Sequence, residues 1–230
     1  MITSAHNEQL KEVRKLHRSQ GRKRAGRFVA EGEDLLAAAD VAGWAAAERF
    51  VAAGSGLDGL EVEPDVLAGA STLGSGTRAI GVYEMRWTQA AGPLCVYLHG
   101  VRDPGNVGAV LRSALAFGAA TVVLGPDCAD PFGPKAVRAS MGAIFSVPVA
   151  RGEVGDLPGE RVALVAHEGE PLRGPADGEI SVLVGAERDG LPAEVVAACE
   201  RVAHLPIASE SLNAAMAATV ALYELTRIAD

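Results

Sequence analysis

Residues 94–124, LCVYLHGVRDPGNVGAVLRSALAFGAATVVL, decide the fold. Five apolar residues, Leu94 to Leu98, read as a buried strand, and a loop rich in turn-forming residues follows. Helical spacing then holds over 107–117, and a second apolar run occupies 121–124. Strand, helix and strand joined this closely make a parallel crossover unit. Further apolar runs at 144–149, 162–166, 180–184 and 202–205 predict more strands, with helices over 134–140, 193–200 and 213–228. Continuous apolar strands alternating with helices indicate a mainly parallel, doubly wound α/β sheet.

Upstream, the pattern is different. Leu10, Val13 and Leu16 share one side of a helix spanning Asn7 to Leu16. GRKRAGR at 21–27 reads as a loop, followed by a strand at 28–30, a helix over 33–44, strands at 49–53 and 60–63, a short helix at 64–69 and a strand at 79–85. The segment 88–93 lacks periodicity and reads as a linker. The expected organisation is a small α/β domain over 1–88 and a larger one over 94–230.

With 230 residues, 49% hydrophobic and 22% charged, the chain has the composition of a soluble globular protein. No apolar run reaches the roughly 18 residues of a membrane helix, and the N-terminus has no secretory h-region. Cys95, Cys128 and Cys199 form no CxxC pair, so they read as reduced thiols of a cytoplasmic protein without metal. The net charge of −8 argues against nucleic acid until its distribution is examined. Residues 1–27 hold eight basic side chains against Glu8 and Glu12, a local +6, which leaves −14 for the rest. Such asymmetry suggests a basic arm on an acidic body, with Arg22, Lys23, Arg24 and Arg27 free to meet phosphates. A solvated helical face is the plainer alternative.

Three segments carry candidate chemistry, each leaving a strand where ligands of open α/β sheets bind. The first contains Asn106-x-Gly108-x-x-x-Arg112; Arg112 falls nearly two turns after Asn106 and is read as close to the same face. A helix-capping Asn with a surface Arg would look the same. In the second, GAERDGLP from Gly185, two glycines allow close backbone approach and Glu187 can accept hydrogen bonds, although an ordinary βα turn fits as well. The third, LPIASESLN from Leu205, enters a long Ala-rich helix that Ser211 is expected to cap. The glycines of the second segment are not spaced as GxGxxG and the sequence holds no Walker A motif, so a nucleotide-dependent oxidoreductase is the less favoured reading.

Taken together and in order, N-x-G-x-x-x-R, G-x-E-x-x-G-L and S-L-N-x-x-x-A resemble the three motifs of the SpoU (TrmH-type) RNA 2′-O-methyltransferases. The resemblance covers 94–230, and VRASMGA at 137–143 is similar to a family segment between the first two motifs. ITSAHNEQLKEVRKL at 2–16 and RFVAEGEDLL at 27–36 look like the family's substrate-binding domain, here abbreviated. The resemblance implies a C-terminal trefoil knot, S-adenosylmethionine as cofactor, and a homodimer formed through the catalytic domain, each cofactor pocket completed by the partner. It places Gly185, Glu187, Leu205, Ile207 and Leu212 at the cofactor, and Asn106, Arg112, Ser211 and Asn213 at the reaction centre, with Arg138 joining the RNA-binding set. Between Pro206 and Ser211 the chain is shorter than the family pattern and lacks its glycine. The expected activity is methylation of a ribose 2′-hydroxyl, in 23S rRNA rather than tRNA; a non-catalytic RNA-binding protein of the same fold is the alternative. The expected partners include no membrane and no metal.

Overall fold

A computed structural model describes residues 1–73 and 76–227. The chain opens with α1 (Glu8–Leu16), capped by the Asn7 side chain, which accepts from the backbone N–H groups of Gln9 and Leu10. α2 (Ser19–Ala25) follows after two residues. This corrects the loop expected at 21–27. Arg, Lys, Gln and Ala all favour helix, and Gly21 is present for packing rather than for a turn. A Cβ on Gly21 would lie 2.1 Å from the Lys15 carbonyl oxygen, so only glycine lets α2 cross the end of α1. Gly26, with φ 66°, ends the helix in the left-handed conformation.

Next come β1 (Arg27–Glu31), α3 (Glu33–Val41), β2 (Glu48–Ala52), β3 (Leu60–Val62), α4 (Pro64–Ala68) and β4 (Ala79–Glu84). The four strands form one mixed sheet in the order β1-β4-β2-β3. α1 seals one face of it through Leu10, Val13 and Leu16, which pack with Val29, Phe50, Ile80 and Val82.

The second sheet is built from β5 (Leu94–Leu98), α5 (Pro104–Ala116), β6 (Thr121–Leu124), α6 (Pro134–Ala139), β7 (Val149–Arg151), β8 (Glu160–Val165), β9 (Glu170–Pro171), β10 (Ile180–Val184), α7 (Ala193–Ala197), β11 (Arg201–His204) and α8 (Ala214–Thr226). Its seven strands run in the order β7-β6-β5-β10-β8-β11-β9, and every pairing is parallel. β10 therefore lies between β5 and β8, although both precede it in the chain. The fold is α/β with a mainly parallel sheet, as expected. One strand is displaced: of the run 144–149, Ala143–Phe145 forms a 3-10 turn and pairing begins only at Val149. Gly142 turns the chain at φ 92°, and Ile144, Phe145 and Val147 fill core space beside the sheet. Pro148, which has no N–H to donate, offers only its carbonyl, to Val122 N–H. The predicted helix 213–228 extends past the described residues, and α8 ends at Thr226.

The two sheets meet in an aromatic cluster. Phe28 of β1 lies 4.9 Å from Phe132 between ring centroids, and Trp44 and Tyr83 pack edge-on against Phe145. The Trp44 indole N–H donates to the Phe145 carbonyl at 2.7 Å, so the buried ring keeps its hydrogen bond. The segment 88–93 connects the sheets but is fastened along the second one: Thr88 N–H donates to Val149 O, and the Thr121 hydroxyl to Ala91 O.

Candidate active site

Loops leaving the carboxyl ends of β8, β10 and β11 enclose a cavity of about 390 Å³. Its walls include Leu164, Gly185, Glu187, Leu205, Ile207, Ser211 and Leu212. All five residues expected at the cofactor are thus on one wall system, despite the short stretch after Pro206. The β8 loop was not anticipated as a wall, although its position at the same carboxyl edge points to it. Residues 185–190 fold back on themselves, with Ala186 and Gly190 exchanging backbone hydrogen bonds. A Cβ on Gly185 would sit 2.1 Å from the Gly190 carbonyl carbon, so this return requires glycine.

The fit to S-adenosylmethionine rests on these walls. The volume is within the range of about 300–1,000 Å³ typical of ligand cavities. Apolar Leu164, Leu205, Ile207 and Leu212 suit a flat base, while turning backbone and Glu187 offer polar groups along one side. Among the described residues no cluster of His, Cys, Asp or Glu is placed to hold a metal.

At the rim, one amide joins the three segments. The Asn106 side chain donates to Glu187 Oε1 and accepts from Asn213 Nδ2 at 3.1 Å. Asn213 in turn caps α8, its Oδ1 accepting from Ala215 and Met216 N–H. The capping roles therefore differ from expectation. Asn213 rather than Ser211 caps α8, because the turn places its carbonyl oxygen over the first helical N–H groups. Asp103, not Asn106, caps α5, accepting from Gly105 N–H at 2.6 Å. Lys135 reaches the same carboxylate at 2.9 Å, and this hydrogen bond with the Gly105 N–H holds the Asp103 carboxyl below its usual range. Asn106 is left free to serve as a connector, and Ser211 lies exposed on the cavity wall.

Arg112 does not share the face of Asn106. At about 100° per residue, six positions leave it roughly 120° around the helix. It is exposed on α5 without a hydrogen bond or ion pair among the described residues, beside the exposed Leu115. The floor under the first loop is fixed by Cys128, whose thiol donates to Leu98 O and is pushed up by burial. Tyr97, buried beneath the same loop, bonds His99 Nδ1 at 3.3 Å, and burial pushes its phenol up to about 12.

The basic residues separate into two kinds. Arg22, expected at phosphate, is 4% exposed and belongs to the interior. Its guanidinium donates to Asp130 Oδ2 at 2.9 and 2.7 Å and to the carbonyls of Leu16 and His17, leaving no edge for RNA. Once residues 19–25 are helical, this one position of the basic run faces inward. Lys23, Arg24 and Arg138 are exposed, and Arg27 pairs with Glu84 across β1 and β4 at 3.2 Å. A concavity of about 500 Å³ between α1 and α2 is lined by Lys15, Arg18 and Arg24 among others. Lys15 and Arg18 were not singled out in sequence, because the concavity exists only once α2 packs beside α1.

The chain is similar to known RNA methyltransferases. A 23S rRNA (guanosine(2553)-2′-O)-methyltransferase of Bacillus subtilis is 29% identical across 97% of this chain and 98% of its own length. An uncharacterized tRNA/rRNA methyltransferase of Synechocystis is 31% identical across 98% and 93%. The solved AdoMet-bound rRNA methyltransferase from Sinorhizobium meliloti aligns with a TM-score of 0.87 at 29% identity, covering 97% of this chain and 96% of that one. The SpoU rRNA Methylase family profile matches residues 93–223, which contain the cavity and its rim. The chain belongs to the SpoU rRNA methylase family.

Proposed function

We propose that the chain is an S-adenosylmethionine-dependent methyltransferase that modifies a ribose 2′-hydroxyl in 23S rRNA. The observation that carries this function is the Glu187–Asn106–Asn213 chain of side chains, which ties all three motif loops together at the mouth of the cavity. Gly185, Leu205, Ile207 and Leu212 would hold the cofactor by backbone and apolar contact, with Glu187 at its edge. Bound there, S-adenosylmethionine supplies an electrophilic methyl group. Asn106, Ser211 and Asn213 then orient the acceptor ribose, and alignment of donor and acceptor is the main service the protein renders. A guanidinium is a poor base, so Arg112 clamps the neighbouring phosphate and polarises the 2′-hydroxyl, whose proton passes to solvent water late in the transfer.

The division of labour follows the two sheets: residues 1–88 grip RNA through Lys15, Arg18, Lys23, Arg24 and Arg27, and residues 94–230 catalyse, with Arg138 at the RNA face. Insertion of β10 between β5 and β8 supports a C-terminal trefoil knot. Met216, Val220 and Tyr223 of α8 and Leu115 of α5 are large, apolar and exposed. They suit a homodimer through this face, in which Arg112 serves the partner's cavity. A ribosomal substrate suits a cytoplasmic enzyme.

Transfer of labelled methyl from S-adenosylmethionine to total rRNA and tRNA, followed by mapping of 2′-O-methyl positions, tests the assignment. Label in 23S rRNA is expected; label in tRNA replaces the substrate, and absence of transfer to any RNA overturns the activity. Arg112→Ala should abolish transfer while cofactor binding by calorimetry survives.

A further inference from the structure

The carboxyl edge of the parallel sheet continues beyond the reaction centre. β7 lies two strands from β5, about 10 Å away at normal strand spacing. Above β6 and β7 a groove of about 330 Å³ separates α2 from the loop following β6, lined by Ser19, Lys23, Cys128, Asp130, Pro131 and Arg151 among others. Lys23 and Arg151 are exposed, and neither has an ion-pair partner among the described residues.

Arg151 is held in place without a carboxylate. Its guanidinium lies 4.3 Å over the Trp87 ring, and Trp87 packs edge-on against buried Phe132 at 5.0 Å. Stacking fixes the plane of the group and leaves its N–H edge free, which lowers the entropy cost when that edge meets an anion. The groove's carboxylates are already engaged. Asp130 is committed to Arg22 through Oδ2 and to Phe132 N–H through Oδ1. Asp127 pairs with Arg102 at 3.4 Å. Arg22 thus contributes to the groove indirectly, by cancelling a charge that would repel phosphate.

We infer that this junction groove binds a backbone phosphate of the RNA flanking the methylated nucleotide, received by Lys23 and the stacked Arg151. The strand then runs along the carboxyl edge, from Asn106 past Arg151 to the concavity of α1 and α2. The assignment rests on the RNA methyltransferase function proposed above.

The test uses the full chain, with Lys23→Gln, Arg151→Gln and the double variant titrated against 23S rRNA and labelled oligouridine over a salt series. Removing one cation from a phosphate should reduce the salt slope by about 0.7 for a single strand. The double variant should therefore drop by about 1.4 in slope and roughly tenfold in affinity at fixed low salt. Its melting temperature and S-adenosylmethionine affinity should match the unaltered chain. Arg151→Lys, which keeps the charge but gives up the planar stack, should fall between, and it retains the test if Arg151→Gln folds poorly. An unchanged slope in the double variant overturns the groove, provided the unaltered chain methylates RNA. If the unaltered chain transfers methyl to no RNA, the underlying function has failed instead.

Discussion

Two concave regions of similar size face solvent, and they are made for opposite kinds of ligand. The cavity over β8, β10 and β11, about 390 Å³, has apolar side chains and returning backbone as walls. The concavity between α1 and α2, about 500 Å³, has Lys15, Arg18 and Arg24, with Glu12 paired to Lys15. Volume does not separate them; wall chemistry does. Apolar walls with a few polar groups select a compact molecule by shape, whereas a cationic bowl attracts any polyanion and carries a salt-dependent affinity. On the proposed function, one region would supply chemical specificity and the other would supply grip.

The sharpest way to break this division is Gly185→Val. Its side chain collides with Gly190, so S-adenosylmethionine binding should be lost in calorimetry while RNA affinity stays within about twofold. Joint loss of both affinities would show that the regions are not separable. Next, Arg22→Ala should cost about 3 kcal/mol in urea unfolding, since it leaves Asp130 without its partner in a largely buried site. Arg24→Ala, two residues away and exposed, should stay within about 0.5 kcal/mol. Equal costs would return Arg22 to the RNA-facing set.

A double Arg18→Gln, Arg24→Gln variant should weaken oligouridine binding roughly tenfold and reduce the salt slope by about 1.4, with cofactor affinity unchanged. A smaller loss of stability than that of Arg22→Ala is expected for Asp103→Ala, about 1 kcal/mol from loss of the α5 cap. Because the Asp103 carboxyl is held below its usual range in the folded protein, its contribution is present above the ordinary carboxylate pKa of about 4. It is lost as pH falls through the lowered folded value. The stability difference between Asp103→Ala and the unaltered chain should therefore be full above the ordinary carboxylate range and shrink as pH falls below it.

Much of the catalytic half was legible in the sequence, because β5, α5, β6 and β10 obey their periodicities without interruption and the motif loops follow directly. The SpoU family, the methyl-transfer activity and the cofactor were all recognisable from those loops. The N-terminal basic run was not, since Gly21 marks a helix crossing as readily as a turn and the inward register of Arg22 exists only once α2 is formed. Capping was misassigned for a related reason: Ser211, Asn213, Asp103 and Asn106 are all competent caps, and only the turn geometry selects between them. The partnership of Arg151, in β7, with Trp87, between β4 and β5, joins positions 64 residues apart, which no local pattern reveals.

The amides at the rim of the cavity have a direction. Helix α8 presents only N–H groups, so the Asn213 oxygen must turn toward it and the Asn213 nitrogen away. That nitrogen demands the oxygen of Asn106, whose own nitrogen is then left facing Glu187, an acceptor when ionised. A donor-to-acceptor polarity set by a helix terminus at one end and a carboxylate at the other thus runs through both asparagines. Asp is nearly the same shape, yet Asp at 213 would still cap α8 while turning an oxygen toward an oxygen at Asn106. Shape alone is not what these two positions encode; they encode the sense in which hydrogen bonds pass between the loops.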